Sequence, residues 1–170
     1  GLATDLLYHK LSPLLLAISG HQGEYPTRVV SSGGKYLEKD ERDIPDTFMM
    51  MADYPSEHTV VLNSVMTNDD TWPTVIRGQY GTMNFDSDLT IKEQAVWSEE
   101  FRKANPQVAA DSTEEVLKPG QAMATIDHES RRDHMGNFLD GVRNGDRLAC
   151  DVDLGCSVMV AIKMGVEAYR

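Results

Sequence analysis

TFMMMADY at residues 47–54, followed after Pro55 by HTVVLNSVMT at residues 58–67, decides how this chain folds. Each run has the length of a strand and the apolar or β-branched residues that suit a pleated surface. The two lie so close in sequence that they can only be antiparallel neighbours, because a parallel crossover needs about a dozen residues or more. In the second run, alternation puts Val60, Leu62 and Met66 on one face and Val61, Asn63 and Val65 on the other. Both faces are more apolar than a solvated face should be. The triplet Met49, Met50, Met51 could suggest a soft-metal or adaptable binding surface. Consecutive strand residues point to opposite sides, however, so core filling is its expected role.

Outward from this pair the same texture continues. Residues 24–32 carry Tyr25, Val29 and Val30 and run into Gly33-Gly34, which reads as a strand and a turn. Residues 35–45 are charged and read as a surface excursion. Residues 74–79, 82–85 and 89–92 are further short strands on short links, a meander. Residues 93–126 change character, with many charges and with Pro106, Pro119 and Gly120; a short helix is expected around residues 97–103 and loop over the remainder. Two helices close the chain. One starts at Asp133, carries Phe138, Leu139 and Val142 as its stripe, and stops at Asn144-Gly145. The other covers residues 151–169, with Val152, Val158, Met159, Ile162 and Val166 turned inward. The fold class is α/β, in detail α+β: an open, mostly antiparallel sheet with helices packed on one face.

The opening helix, TDLLYHKLSPLLLAIS at residues 4–19, has a buried side and a chemical side. Leu7, Leu11, Leu14, Leu15 and Ile18 form one apolar stripe, while Asp5, His9 and Ser12 fall on another face. Asp5 and His9 are four apart, which stacks a carboxylate one turn from an imidazole. A carboxylate beside a histidine can fix its tautomer or favour its charged form, giving a usable acid/base pair near neutral pH. On spacing alone the plainer account comes first: Asp5 as a first-turn carboxylate near the positive end of the helix dipole, His9 as a solvated bystander. Pro13 has no N–H for the carbonyl of His9, so the helix is expected to bend or open just after His9.

Length and charge narrow the classes. The 170 residues suffice for a single domain with a real core, residues 1–170 being read as one domain. A net charge of −11 argues against a phosphate backbone as partner, so no nucleic acid is expected. No apolar run reaches bilayer length and no signal-peptide pattern opens the chain, so no membrane partner is expected and a cytoplasmic location is favoured. The chain begins at Gly1 with its apolar helix almost at once, and so reads as a piece of something longer, from which an upstream export signal could be missing. Cys150 and Cys156, six apart, support neither a disulfide framework nor a zinc site. His128-Glu129 with His134 imitates a metalloprotease motif, but HExxH needs two histidines four apart, so no metal ligands are assigned.

The piece DHMGNFLDGVRNGDRLACDVDLG at residues 133–155 turns pattern into resemblance. Together with GGKYL at residues 33–37, VIRGQYGTMNF at residues 75–85 and the D-x-x-x-H of Asp5 and His9, it resembles the C-terminal domain of the glucose-fructose oxidoreductase / inositol 2-dehydrogenase (Gfo/Idh/MocA) family. The resemblance covers nearly the whole chain. It implies an N-terminal Rossmann domain, absent from this chain, that binds NAD or NADP, with a mostly antiparallel α/β domain after it. It also implies that Asp5 and His9 line a substrate pocket beside a lysine from a Glu-Lys-Pro segment of the missing domain. His9 would be the general base, Asp5 its orienter or a hydrogen-bond acceptor for substrate, and Lys10 a further substrate-binding residue. The implied reaction is hydride transfer between a nicotinamide and a carbinol carbon of a sugar or polyol, with the chemistry of the hydride belonging to the cofactor.

This sequence has no G-x-G-x-x-G opening a βα unit and no Glu-Lys-Pro, so no cofactor-binding residues are assigned. Tyr8-His9-Lys10 also departs from commoner versions of the helix, towards relatives in which NAD reversibly oxidises a sugar to assist glycoside cleavage. A redox-neutral glycosidase or lyase is therefore the alternative enzyme, and a non-catalytic oligomerisation or carbohydrate-binding module the alternative to an enzyme. The doubly apolar strands lead to one more expectation. A homo-oligomer should form through the open sheet face, with Val61, Val65, Met49 and Met51 as candidates, unless residues 93–126 fold back over that face.

Overall fold

A computed structural model describes residues 1–86, 89–107, 118–126 and 132–170. They form two compact units, Gly1–Asp70 with Arg132–Arg170, and Thr71–Arg131. The fold is α+β, and every strand pairing described is antiparallel. Among the described residues no helix is long and apolar enough to cross a membrane.

In the first unit a π-helix, Leu2–Leu7, runs into α1, Tyr8–Ser19. Strands β1 (Arg28–Gly34), β2 (Thr47–Tyr54) and β3 (His58–Val65) then form a sheet in the order β1-β2-β3. The β2–β3 pairing is the one the sequence demands, with Met50 opposite Leu62 and Ala52 opposite Val60. Two helices complete the unit, α3 (His134–Asn144) and α4 (Val152–Tyr169), numbered after the helix of the second unit. Asp133 caps α3 by accepting the Gly136 N–H at 2.9 Å, and Asp151 caps α4 by accepting the Leu154 N–H at 3.0 Å. The core gathers Leu7, Leu11 and Leu15 from the opening helical segment, Phe48, Met50, Ala52 and Tyr54 from β2, Val60 and Leu62 from β3, and Leu154, Val158, Ala161 and Ile162 from α4. Each large side chain fully buried here contributes roughly 1.5–3 kcal/mol. Gly165 lets α4 approach the sheet, since a Cβ there would lie 2.8 Å from the Met50 sulfur.

Several expectations need correction. Ile18 is exposed rather than in the stripe, and so are Val152 and Met159 of α4. The α3 stripe buries nothing: Phe138 and Val142 are exposed. Gly33 and Gly34 are not a turn but the end of β1, where a Cβ on Gly33 would sit 2.2 Å from the Thr47 carbonyl oxygen. The methionine triplet divides, Met50 entering the core while Met49 and Met51 are exposed. The winding around Pro13 is also reversed from expectation. Helix α1 runs through Pro13, the Ser12 hydroxyl bonding the Tyr8 carbonyl at 2.8 Å, and the irregular winding lies before His9.

The second unit orders β4 (Val75–Arg77), β5 (Gly81–Asn84), β6 (Thr90–Glu93) and β7 (Met123–Thr125) as a four-stranded sheet. A 3-10 turn, Ala95–Trp97, and α2, Ser98–Ala104, follow β6. The short helix expected around residues 97–103 is α2, whereas β7 lies in the part expected to be loop. The unit's apolar core is small, Phe101, Ala122 and Ala124 with Ile91 beside them. A buried carboxylate ties it together. Glu93 accepts from Arg102 at 2.9 and 3.0 Å, from the Gly120 N–H at 2.8 Å and from the Ala122 N–H at 3.0 Å. Burial pushes against its charge, but these donors prevail and hold its carboxyl below the usual range.

Candidate functional site

The three residues singled out for chemistry all sit at the start of the chain's helical segment. Asp5 belongs to the π-helix, while His9 and Lys10 belong to the first turn of α1, and all three are exposed. Leu2 and Leu7, five apart, are both buried, and the i→i+5 pattern of a π-helix puts such a pair on one face. From Leu7 onward the spacing of Leu11 and Leu15 is α-helical, and the core continues without a break. The core side is thus anchored throughout, which leaves Asp5 and His9 on the solvent side.

Asp5 does not bond His9; its carboxylate accepts from the Thr4 hydroxyl at 3.1 Å. Among the described residues no hydrogen bond or ion pair fixes the His9 imidazole. Its neighbour is the Tyr8 ring, perpendicular to it at a centroid distance of 6.0 Å.

Tyr8 was given no place at the site by the sequence, nor was its partner. Its hydroxyl lies 3.4 Å from the sulfur of Cys150, 142 residues on, and that contact, with burial, raises the phenol above its ordinary value. A periodicity argument on one helix cannot see such a contact. A second polar cluster, also unforeseen, closes the far end of α1. Glu24 accepts from the Ser56 N–H and hydroxyl, both at 2.7 Å, and lies 3.8 Å from His58, whose ring stacks on Tyr54 at 4.6 Å. Burial pushes the Tyr54 phenol up to about 12.

For a dinucleotide the described residues offer a poor fit. A pyrophosphate is held by a glycine turn between a parallel strand and a helix N-terminus, and every described ladder here is antiparallel. Nor do the described residues contain a group of three His, Cys, Asp or Glu able to hold a metal ion. His128 and Glu129 lie outside the described residues.

Neither a family model nor a curated protein sequence matches the chain. Solved structures do match its fold. UDP-N-acetylglucosamine 3-dehydrogenase GnnA from Acidithiobacillus ferrooxidans is similar over 99% of this chain and 48% of its own, at 18% identity and a TM-score of 0.67. An NAD-binding protein from Listeria innocua is similar over 99% of this chain and 49% of its own, at 16% identity and a TM-score of 0.65. The chain spans about half the length of the solved structures it matches. Its antiparallel α+β architecture is therefore one that occurs as about half of the chain of a 3-dehydrogenase and of an NAD-binding protein.

Proposed function

We propose that this chain is the C-terminal, substrate-binding half of a Gfo/Idh/MocA-type oxidoreductase that acts on a CH–OH group of a sugar or polyol with NAD or NADP. The observation that carries the reading is the fold, matched over 99% of the chain by half of a sugar-nucleotide 3-dehydrogenase. Exposed Asp5, His9 and Lys10 on one helical segment agree with it. The cofactor would supply the hydride chemistry from a separate Rossmann domain. His9, unencumbered by an ion pair among the described residues, would accept or return the hydroxyl proton. Asp5, which makes no hydrogen bond to the imidazole, suits a substrate hydroxyl better than it suits orienting His9. Lys10 would add a donor to the same rim.

The same reading includes a homo-oligomer built through the outer face of the β1–β3 sheet. Val30, Met51 and Val61 stand side by side across the three strands, and all are exposed, as are Met49 and Val65. A contiguous apolar patch of this kind marks an interface more often than it marks a monomer's free surface.

Steady-state cofactor reduction in the full-length protein tests the reading against a panel of sugars, nucleotide sugars and polyols. Accumulation of NADH or NADPH with one of them is the expected result. Turnover of a glycoside with no net reduction would replace it with the redox-neutral alternative. No turnover of either kind would leave a binding module.

A further inference from the structure

Residues 133–155, whose pattern is the most distinctive in the chain, are given no task by the chemistry above. Their geometry supplies one. Asn137 of α3 uses both ends of its amide on the segment that follows the helix: its Nδ2 donates to the Arg147 carbonyl at 3.2 Å and its Oδ1 accepts from the Ala149 N–H at 2.9 Å. Gly141, one turn on, makes room for the Leu148 side chain; a Cβ there would lie 2.5 Å from the Leu148 Cδ2. Asp151 caps α4. Cys150 is thus held between two fixed points. Its sulfur meets the Tyr8 hydroxyl, and the Tyr8 ring stands at 86° to the imidazole of His9.

We infer that the Asn137-clamped segment positions His9, with Cys150 and Tyr8 as the linking contacts. This rests on the reading of His9 as the proton-transfer group. Nothing else described restrains the imidazole, so the ring beside it limits its rotation, and the orientation of that ring depends on its hydroxyl being tied to Cys150. Tyr8 and Cys150 are positioning residues and touch no substrate. A proton acceptor that wanders by an ångström loses rate rather than affinity, because binding is set by other groups and only the reactive geometry suffers.

The test is a double-mutant cycle in the full-length protein. Tyr8→Phe and Cys150→Ala should each lower kcat by about three- to tenfold, the scale of one hydrogen bond, with KM little changed. The double variant should be no slower than the slower single one, since both remove the same contact. Cys150→Ser, which keeps a hydrogen-bonding group, should recover most of the loss. Multiplied effects in the double variant, or an unchanged kcat in the single ones, would overturn the inference. The His9 ring-proton resonances give a readout without turnover. They should move in Tyr8→Leu and, less far, in Cys150→Ala; resonances that stay put would overturn the inference whatever the kinetics. Undiminished turnover in His9→Ala would instead overturn the functional reading, and the resonances would still judge the positioning.

Discussion

Met50 and Met51 are neighbours in sequence and opposites in the fold. Met50 is 1% exposed, packed among Phe48, Leu62 and α4, whereas Met51 is 48% exposed between Val30 and Val61 on the outer face. One strand thus presents two apolar surfaces, and helices cover only one of them. Within a strand the cause is the two-residue period; within the unit it is that α1 and α4 lie on the same side. The lesson is that hydrophobicity identifies a strand well but does not say which face is the core. An apolar residue on the uncovered face is under a different demand, which in the proposed reading is association.

The comparison can be broken most severely at Met50. Met50→Ala should cost about 2–5 kcal/mol of unfolding free energy, as truncation in a core does, while Met51→Ala should stay within about 0.5 kcal/mol in the monomer. Denaturant titration of both variants checks this, and equal losses would mean that the outer face is structured against something within the chain. Met51→Glu sharpens the point from the other side. A charge in the middle of the Val30–Met51–Val61 row should weaken self-association at least tenfold, seen by sedimentation at micromolar concentration, with far-ultraviolet dichroism unchanged. A parent chain that sediments as a clean monomer would remove the proposed interface.

The smallest effect belongs to the polar end of the same face. There Asp53 accepts from Thr59 at 2.7 Å and from Arg28 at 2.8 Å, and these contacts hold its carboxyl below the ordinary value. A carboxylate depressed in the folded state contributes stability above its unfolded value, near pH 4, and that contribution is lost as pH falls through the lower folded value. Asp53→Asn should therefore lower stability slightly at neutral pH, leave the strongly acid end nearly untouched, and so flatten the acid side of the stability profile. An unchanged acid limb would show the row to be solvated and idle.

What the sequence made legible follows the same division. The strand at residues 47–54 and the start of the next at residue 58 were readable because apolar runs bounded by Pro55 leave few alternatives. The antiparallel pairing followed from the short links. Strand β7 was not readable: three residues, Met123–Thr125, carry too little pattern, and their pairing with β6 is long-range. Exposure of Phe138, Val142 and Val152 was hidden for a different reason, since periodicity gives an amphipathic face without saying whether anything covers it. At the site, the D-x-x-x-H spacing was visible and its α-helical geometry assumed. The π-winding that holds Asp5 was not legible in the apolar spacing, and the Tyr8–Cys150 contact comes from a packing no local pattern encodes.

The central claim is that His9 moves the proton in a nicotinamide-linked oxidation of a sugar or polyol. Measuring kcat across pH for His9→Ala in the full-length protein addresses it most directly. The account predicts a fall of roughly a hundredfold or more and loss of the pH dependence that a titrating base imposes. A variant that turns over at the parent rate across the whole pH range would contradict it.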